Sequence, residues 1–265
     1  MDHLLELCDS ITDAGPAEAG RLVLCGSHGG LYPAALASEA KLRAVIFNDA
    51  GTGLESAGIG GIMALDQIGM AAAGVGCMSA RIGDAKDMLE NGRIHAVNHV
   101  AAALGVQAGM SVKQAAKLLE KAPQPTGSLP PYLEARSEIV LKPGATPVYL
   151  LDSASMVGPE HIDKVVITGS HGGLVGGDPA RALKFPARIA VFNDAGLGPQ
   201  EVGASRLPAL ATQGIAAVTL AASTARIGDA VSGLETGVIS RVNGQARALG
   251  AGPGMNLRQW LVGLD

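Results

Sequence analysis

The sequence predicts an α/β protein made of two tandem duplicated units, each with a parallel, helix-covered sheet, related by a pseudo-twofold axis. Three observations predict this fold class. Three polar motifs recur in the same order in both halves of the chain, a short apolar run precedes each motif, and segments with helical periodicity separate them. Apolar strands that alternate with helices are typical of parallel sheets buried on both faces.

The repeated motifs divide the chain into two units. Gly-Ser-His-Gly-Gly, Phe-Asn-Asp-Ala-Gly and Ala-Arg-Ile-Gly-Asp-Ala begin at residues 26, 47 and 80, and they return at residues 169, 192 and 225. Residues 43–105 align without a gap with residues 188–250, and roughly 29 of the 63 pairs are identical. We therefore expect repeat units over residues 1–121 and 147–265, joined by a connecting arm over residues 122–146.

Each unit is predicted to contain four strands. They cover residues 4–8, 21–25, 44–47 and 71–78 of the first unit, and residues 148–151, 164–168, 189–192 and 215–222 of the second. In the first unit, helical periodicity covers residues 54–68, and further helices are expected over residues 84–89 and 94–104. The arm is rich in proline and resists regular structure, although residues 138–141 can add an edge strand.

The composition excludes several classes of protein. Hydrophobic residues make up 48% and charged residues 17% of the chain, which excludes intrinsic disorder. A net charge of -4 without a run of lysine or arginine argues against nucleic acid or an anionic membrane as a partner. The most apolar long window, residues 57–80, contains Asp66 and many glycines, so it indicates a buried core and no membrane span.

The three cysteines, an odd number without metal-ligand spacing, indicate a reduced cytoplasmic protein. The first six residues lack a basic region followed by an apolar core, so we expect no signal peptide. Cys25, next to the first glycine-rich motif, can be a nucleophile, but a small buried hydrophobe is the favoured interpretation. We expect no metal and no cofactor, and a homo-oligomer is compatible with the sequence.

The repeated polar motifs follow predicted strands. In open parallel sheets, ligands bind beyond the carboxyl ends of the strands, so we expect these motifs to converge in a crevice. His28 is the side chain of its motif suited to proton transfer near neutral pH. The predicted catalytic residues are the serine, histidine and aspartate of each unit: Ser27, His28, Asp49, Ser170, His171 and Asp194.

A second set of residues is predicted to bind substrate. Arg81 and Arg226 are suited to bind a carboxylate or phosphate bidentately. The glycine-rich turns offer backbone N–H groups to an anion or a carbonyl oxygen. The remaining members are Asn48, Asp84 and Gly29 of the first unit and Asn193, Asp229 and Gly172 of the second.

Each motif also has a purely structural interpretation. The glycine-rich motif can be a tight turn with Ser27 as an N-cap, and Asn48-Asp49 can form an Asx turn. Arg81 can form an ion pair with Asp84 or Asp49. Asn98 and Asn243, in predicted helices, can cap neighbouring loops. Whether the halves share one composite crevice or hold two separate sites stays open.

The favoured hypothesis is a metal-independent hydrolase that acts on a C–N or ester bond of a small organic anion, a carboxylate-bearing compound. An arginine binds the carboxylate, the glycine-loop amides stabilise an oxyanion, and His28 or His171, oriented by Asp49 or Asp194, activates water or a serine. The alternatives are an isomerase or lyase that uses paired His and Asp as acid and base, and a non-catalytic organic-anion-binding protein.

Overall fold

A computed structural model describes residues 5–264. Residues 1–4, on which the absence of a signal peptide was predicted, and residue 265 lie outside the described residues. The first sheet consists, among the described residues, of five strands in sequence order: β1 (Leu5–Cys8), β2 (Leu22–His28), β3 (Ala44–Asn48), β4 (Ala71–Val75) and β5 (Ile94–Val97). β1 to β4 are parallel, and β5 is antiparallel to β4.

The second sheet repeats this order and adds one strand from the arm. Over residues 136–242 it consists of six strands: β6 (Arg136–Ile139), β7 (Val148–Leu151), β8 (Val165–His171), β9 (Ile189–Asn193), β10 (Ala216–Leu220) and β11 (Ile239–Val242). β7 to β10 are parallel, while β6 and β11 are antiparallel edge strands. The α/β class is thus confirmed, but both sheets are mixed, where the sequence predicted parallel sheets.

The antiparallel strand β5 corrects the predicted helix over residues 94–104. Ile94 and Ala96 are buried while His95 is exposed, an alternation of period two that suits a strand. Asn98 then begins the short helix His99–Ala103, because its side chain accepts a hydrogen bond from the Ala101 amide as an N-cap. A strand of four residues followed directly by a helix is too short for either period to be clear in the sequence.

Helices cover both faces of each sheet. One face of the first sheet packs against α1 (Leu31–Glu39) and α2 (Gly60–Ala64), and the other against α3 (Ala85–Asn91), α4 (His99–Ala103) and α5 (Val112–Leu119). In the second sheet, α6 (Arg206–Ala211) covers one face, and α7 (Ala230–Thr236), α8 (Gly244–Ala248) and α9 (Leu257–Val262) cover the other. Between residues 5 and 264, no helix is both long and apolar enough to cross a membrane.

The two halves differ after the second strand of their parallel sets. The first half forms helix α1 there, whereas the second forms two 3-10 turns, Val175–Gly177 and Pro179–Arg181. Gly176 and Gly177 have positive φ, and Pro179 begins the second turn. These residues end regular helix formation, because glycine is costly in a helix and proline cannot donate a backbone hydrogen bond.

The halves meet at the turns that follow β3 and β9. Ala50 and Gly51 of the first turn, and Ala195 and Gly196 of the second, all have left-handed backbone angles. The two glycines are in contact, since a Cβ atom on Gly51 would lie 2.9 Å from the Cα atom of Gly196. A small apolar cluster encloses this contact and consists of Ala50, Ile82, Ala195 and Ile227.

Gly203 supports the turn of the second half and provides a test of this packing. A Cβ atom there would lie 1.9 Å from the Asp194 carbonyl oxygen, whereas one on Gly60 would meet nothing within 4 Å. We predict that Gly203→Ala lowers the free energy of unfolding by at least about 2 kcal/mol because the turn must move. Gly60→Ala, the control, should change it by less than about 1 kcal/mol. Urea unfolding of both variants measures this, and equal small effects would contradict the packing.

Candidate functional site

A cavity of about 410 Å³ lies between the two halves and receives both glycine-rich motifs. Ser27 and His28 reach it from the end of β2, and Ser170 and His171 reach it from the end of β8. The arm adds Glu134, and residues after β1, β7 and β8, together with residues of α1 and α6, also line the cavity. The structure therefore brings the predicted serines and histidines of both units together in one composite cavity.

The end of β2 turns toward the cavity because the strand is irregular there. The pairing of β2 with β3 shifts between Leu24 and His28, so that His28 pairs with Asn48. Gly26 lies at the shift, and a Cβ atom on it would approach the Asp9 carbonyl oxygen to 2.5 Å. Only glycine fits this close approach without movement of the backbone.

The hydroxyl groups of the two serines hold neighbouring loops of the cavity wall in place through hydrogen bonds. The Ser27 Oγ accepts a hydrogen bond of 3.0 Å from the Ile11 amide, and the Ser170 Oγ accepts one of 2.9 Å from the Ala154 amide. Within residues 5–264, neither hydroxyl hydrogen-bonds to a histidine. The structure thus shows no serine that a histidine activates as a nucleophile.

The two histidines are neutral at neutral pH but differ in their hydrogen bonds. Burial lowers the pKa of His28 to about 4, and its Nδ1 accepts a hydrogen bond of 3.1 Å from the Gly30 amide. Burial also lowers the pKa of His171 well below its ordinary value. The nearby charge of Arg206 lowers it further, as does His28 when it is protonated, and the amide of Gly173 partly opposes these effects. Among the described residues, no hydrogen bond of normal geometry reaches the His171 Nδ1.

The two predicted aspartates stabilise the interface turns and do not hydrogen-bond to His28 or His171 within residues 5–264. The Asp49 Oδ1 accepts hydrogen bonds of 2.8 Å from the amides of Gly51 and Cys77, and its Oδ2 lies 2.7 Å from the His95 Nδ1. The Asp194 Oδ1 accepts equivalent bonds from the amides of Gly196 and Ala222. The expected orientation of His28 by Asp49, and of His171 by Asp194, is therefore absent, because backbone amides already hold the carboxylates.

The predicted asparagines form the Asx turns that were the structural alternative. The Asn48 Oδ1 accepts from the Ala50 amide, and the Asn193 Oδ1 accepts from the Ala195 amide, both at 2.9 Å. The Asn193 amide group also donates to the Ala225 carbonyl. Both side chains are buried beneath the interface turns, and neither lines the cavity.

The amides of the predicted glycines are already occupied. Gly29 N–H donates to the Asn48 carbonyl at 2.9 Å, and Gly172 N–H donates to the Asn193 carbonyl at 2.7 Å. These bonds continue the sheet beyond the histidines. The glycine amides therefore cannot form the oxyanion site that the sequence predicted, because their hydrogens face neighbouring strands.

The two predicted arginines lie outside the cavity and connect the halves. Arg226 lies 2.8 Å from Asp229 and 3.1 Å from Glu55, and the Arg81 guanidinium donates to Gln200. Each arginine thus contacts the opposite half, and Arg226 is already neutralised by carboxylates. The structural interpretation as an interaction at the interface fits both arginines better than an anchor for substrate.

The remaining predicted acids begin helices, and the cysteine next to the first motif is inert. Asp84 and Asp229 are the N-caps of α3 and α7, where each accepts a hydrogen bond of 2.8 Å from an amide of the first turn. Cys25 is fully buried, and burial raises the pKa of its thiol to about 12. These residues stabilise the fold and do not reach the cavity.

Arg206 is a cavity residue that the sequence motifs did not indicate. Its side chain is 6% exposed, donates to the carbonyls of Gly173 and Ala182 at 3.0 and 2.7 Å, and lies over the ring of Phe192 at 5.1 Å. Burial lowers its pKa to about 10, so it stays charged at neutral pH. The one signal in the sequence is that it aligns with Gly61, a position where the halves differ.

The lowered pKa of His28 predicts how stability changes with pH. The unfolded chain, with an ordinary histidine pKa of 6.5, binds more protons than the folded chain, in which the pKa is about 4. The stability contribution of neutral His28 is therefore complete above pH 6.5 and is lost as the pH falls toward 4.

We predict that His28→Asn, which keeps an acceptor for the Gly30 amide, loses less stability than the wild-type protein on acidification. The difference between neutral pH and about pH 4.5 should be about 1–2 kcal/mol. This is less than complete burial would give, because His28 stays partly exposed to the cavity. Urea unfolding across this range measures the effect, and superimposable pH profiles would refute it.

Comparison with known proteins gives no family for this chain. No protein-family model matches it. A search of curated proteins and a search of solved structures each found no match. Among residues 5–264, no three or more His, Cys, Asp or Glu side chains are grouped as metal ligands.

Proposed function

We propose that this protein is a small-molecule hydrolase that acts on a C–N or ester bond in the cavity between its two halves. The observation that carries the proposal is the pair of neutral histidines, the half-buried His28 and the buried His171. They reach one cavity from the carboxyl ends of strands in different sheets, and their hydrogen bonds give them different chemistry.

His28 is suited to donate a hydrogen bond to developing negative charge. A neutral imidazole that accepts a hydrogen bond at Nδ1 carries its proton on Nε2. The amide of Gly30 occupies Nδ1, so Nε2–H is the group that His28 can offer. We assign it the role of oxyanion donor, for which the glycine amides are not free.

His171 is suited to act as the general base. Within the described chain, no hydrogen bond of normal geometry holds its Nδ1, although the amide of Gly173 lies close to the ring, so the tautomer with a lone pair on Nε2 is accessible. Such a nitrogen can take a proton from water as the water attacks a carbonyl carbon. The proton then passes to the leaving nitrogen or oxygen as the C–N or C–O bond breaks.

Water is favoured over serine as the nucleophile. The hydroxyls of Ser27 and Ser170 accept backbone hydrogen bonds, and no histidine contacts them in residues 5–264. Asp49 and Asp194 are not assigned a part in activating the nucleophile either, since backbone amides hold their carboxylates in the interface turns. The proposal therefore retains the histidines of the sequence hypothesis but neither the catalytic serine nor the orienting aspartate.

The same pair of histidines supports an isomerase or lyase as a second candidate. His28 presents an N–H group and His171 a free lone pair, so one can serve as acid and the other as base. Incorporation of oxygen from labelled water into product distinguishes the classes, because a hydrolase requires it and an isomerase does not.

Reciprocal contacts support the proposed duplication and pseudo-twofold relation of the units. Arg81 contacts Gln200, and Arg226, which aligns with Arg81, contacts Glu55, which aligns with Gln200. A cytoplasmic location and a homo-oligomer stay predictions from the sequence.

We predict that turnover depends on both histidines. A panel of small esters, N-acyl amino acids and cyclic amides should contain at least one compound that the wild-type protein hydrolyses. His28→Asn and His171→Asn should each lower the rate by about 10²- to 10⁴-fold, the usual contribution of acid–base and oxyanion groups. Arg81→Ala, outside the cavity, should leave the rate within about threefold. Hydrolysis that survives both histidine substitutions would eliminate the mechanism.

A further inference from the structure

The cavity contains a buried positive charge that no carboxylate between residues 5 and 264 neutralises. Across residues 5–264, Arg206 forms no ion pair, and its protein partners are two carbonyl oxygens and the face of Phe192. Burial of an arginine without a counter-charge is costly unless another anion compensates. The part of the chain that the structure describes thus maintains a charge for which it supplies no counter-charge.

Arg206 retains donors for a ligand. A guanidinium has five N–H groups, and hydrogen bonds from Nε and Nη1 to carbonyls use two of them. The group lines the cavity, and its Nη2 atom donates no hydrogen bond within the described residues. Nη2 and the second N–H of Nη1 are therefore available to a carboxylate.

The carboxylates of the cavity wall are engaged elsewhere. Asp152 accepts hydrogen bonds from the amides of Ala135 and Ala230 at 2.8 and 3.1 Å. Glu134 lies next to Asp152, and burial raises the pKa of its carboxyl group. Neither forms an ion pair with Arg206 in the chain from residue 5 to residue 264.

The positive charge belongs to one half alone. The amide of Arg206 donates to the Gly172 carbonyl at 2.8 Å, and that of Gly61, its aligned residue, donates to the Gly29 carbonyl at 2.9 Å. A Cβ atom on Gly61 would lie 2.0 Å from the Gly30 carbonyl oxygen, so the first half has no room for a side chain there. Arg181 and Lys184 also lie on the cavity wall in the second half. Arg181 is 3.4 Å from Asp13 of the first half, so Lys184 is the residue that adds exposed charge outside an ion pair among the described residues.

We infer that Arg206 binds the carboxylate of a small organic ligand, so that the cavity is a single asymmetric site and not two equivalent ones. The identification of the bound molecule as a substrate rests on the proposed function, whereas the anion site does not. The carboxylate lies on the side of the second half, beside His171, and the rest of the molecule extends toward His28. A bound carboxylate also offsets the charge of Arg206 that acts on His171, which makes His171 a stronger base.

Titration with simple anions tests the inference. Acetate, succinate and inorganic phosphate are added to the full-length protein, and binding is measured by calorimetry and by the thermal midpoint. We expect a carboxylate to bind, with the midpoint raised by about 2–4 °C at tenfold excess over its Kd. Arg206→Met should weaken binding at least about tenfold, while Arg81→Met, a matched change outside the cavity, should leave Kd within about twofold.

Arg206→Met also loses two hydrogen bonds to carbonyls, so weaker binding could reflect a folding defect. Two further measurements test the anion site without this variant. Arg181→Met and Lys184→Met change exposed residues and should each weaken binding about two- to fivefold. NMR of the wild-type protein should show a shift of the His171 ring resonances with succinate. Shifts of the His95 or His99 rings alone would place the anion elsewhere and overturn the inference.

The remaining outcomes separate the inference from the proposed function. Binding of no anion at about 50 mM would overturn the anion site, and binding of phosphate but of no carboxylate would overturn the carboxylate assignment. Carboxylate binding that Arg206→Met abolishes, with no hydrolysis of any compound, would leave the anion site standing and refute the hydrolase. Hydrolysis of a carboxylate-bearing compound that Arg206→Met leaves unchanged would refute the anion site and leave the proposed hydrolase standing.

Discussion

The contact between the turns at Gly51 and Gly196 is the constraint on which the cavity depends. His28 pairs with Asn48 and His171 with Asn193, so each histidine is tied by a strand pairing to the turn that follows. Contact of the two turns therefore fixes the positions of the histidines relative to each other. Left-handed angles at non-glycine turn residues cost about 1 kcal/mol each, which the hydrogen bonds of Asp49 and Asp194 to turn amides offset.

Similarity between the halves builds the framework, and their differences create the site. Equivalent strands, caps and Asx turns place two histidines at one cavity. The loss of helix formation after β8 brings Arg181 and Lys184 to the wall, and the exchange of Gly61 for Arg206 adds a buried charge. The cavity thereby has positive charge on the side of the second half. This charge can orient a substrate between the N–H donor His28 and the base His171.

The sequence predicts the framework and half of the candidate site. The recurrence of the motifs at strand ends predicts that His28 and His171 come together, since carboxyl ends of parallel strands share an edge. It does not predict that the Asp49 carboxylate accepts hydrogen bonds from the amides of its own turn. The orientation of this side chain depends on left-handed backbone angles that residue type alone does not determine. Arg206 is missed because repetition highlights what the halves share, and this residue is where they differ.

The most direct test of the composite site is a crystal structure of the protein soaked with succinate or with a hydrolysed compound's carboxylate product. We expect electron density in the cavity between the halves, with a carboxylate at Arg206 Nη2 and the molecule extending past His171 toward His28. Density at Arg81 or Arg226, or separate ligands in each half with Arg206 unoccupied, would contradict it.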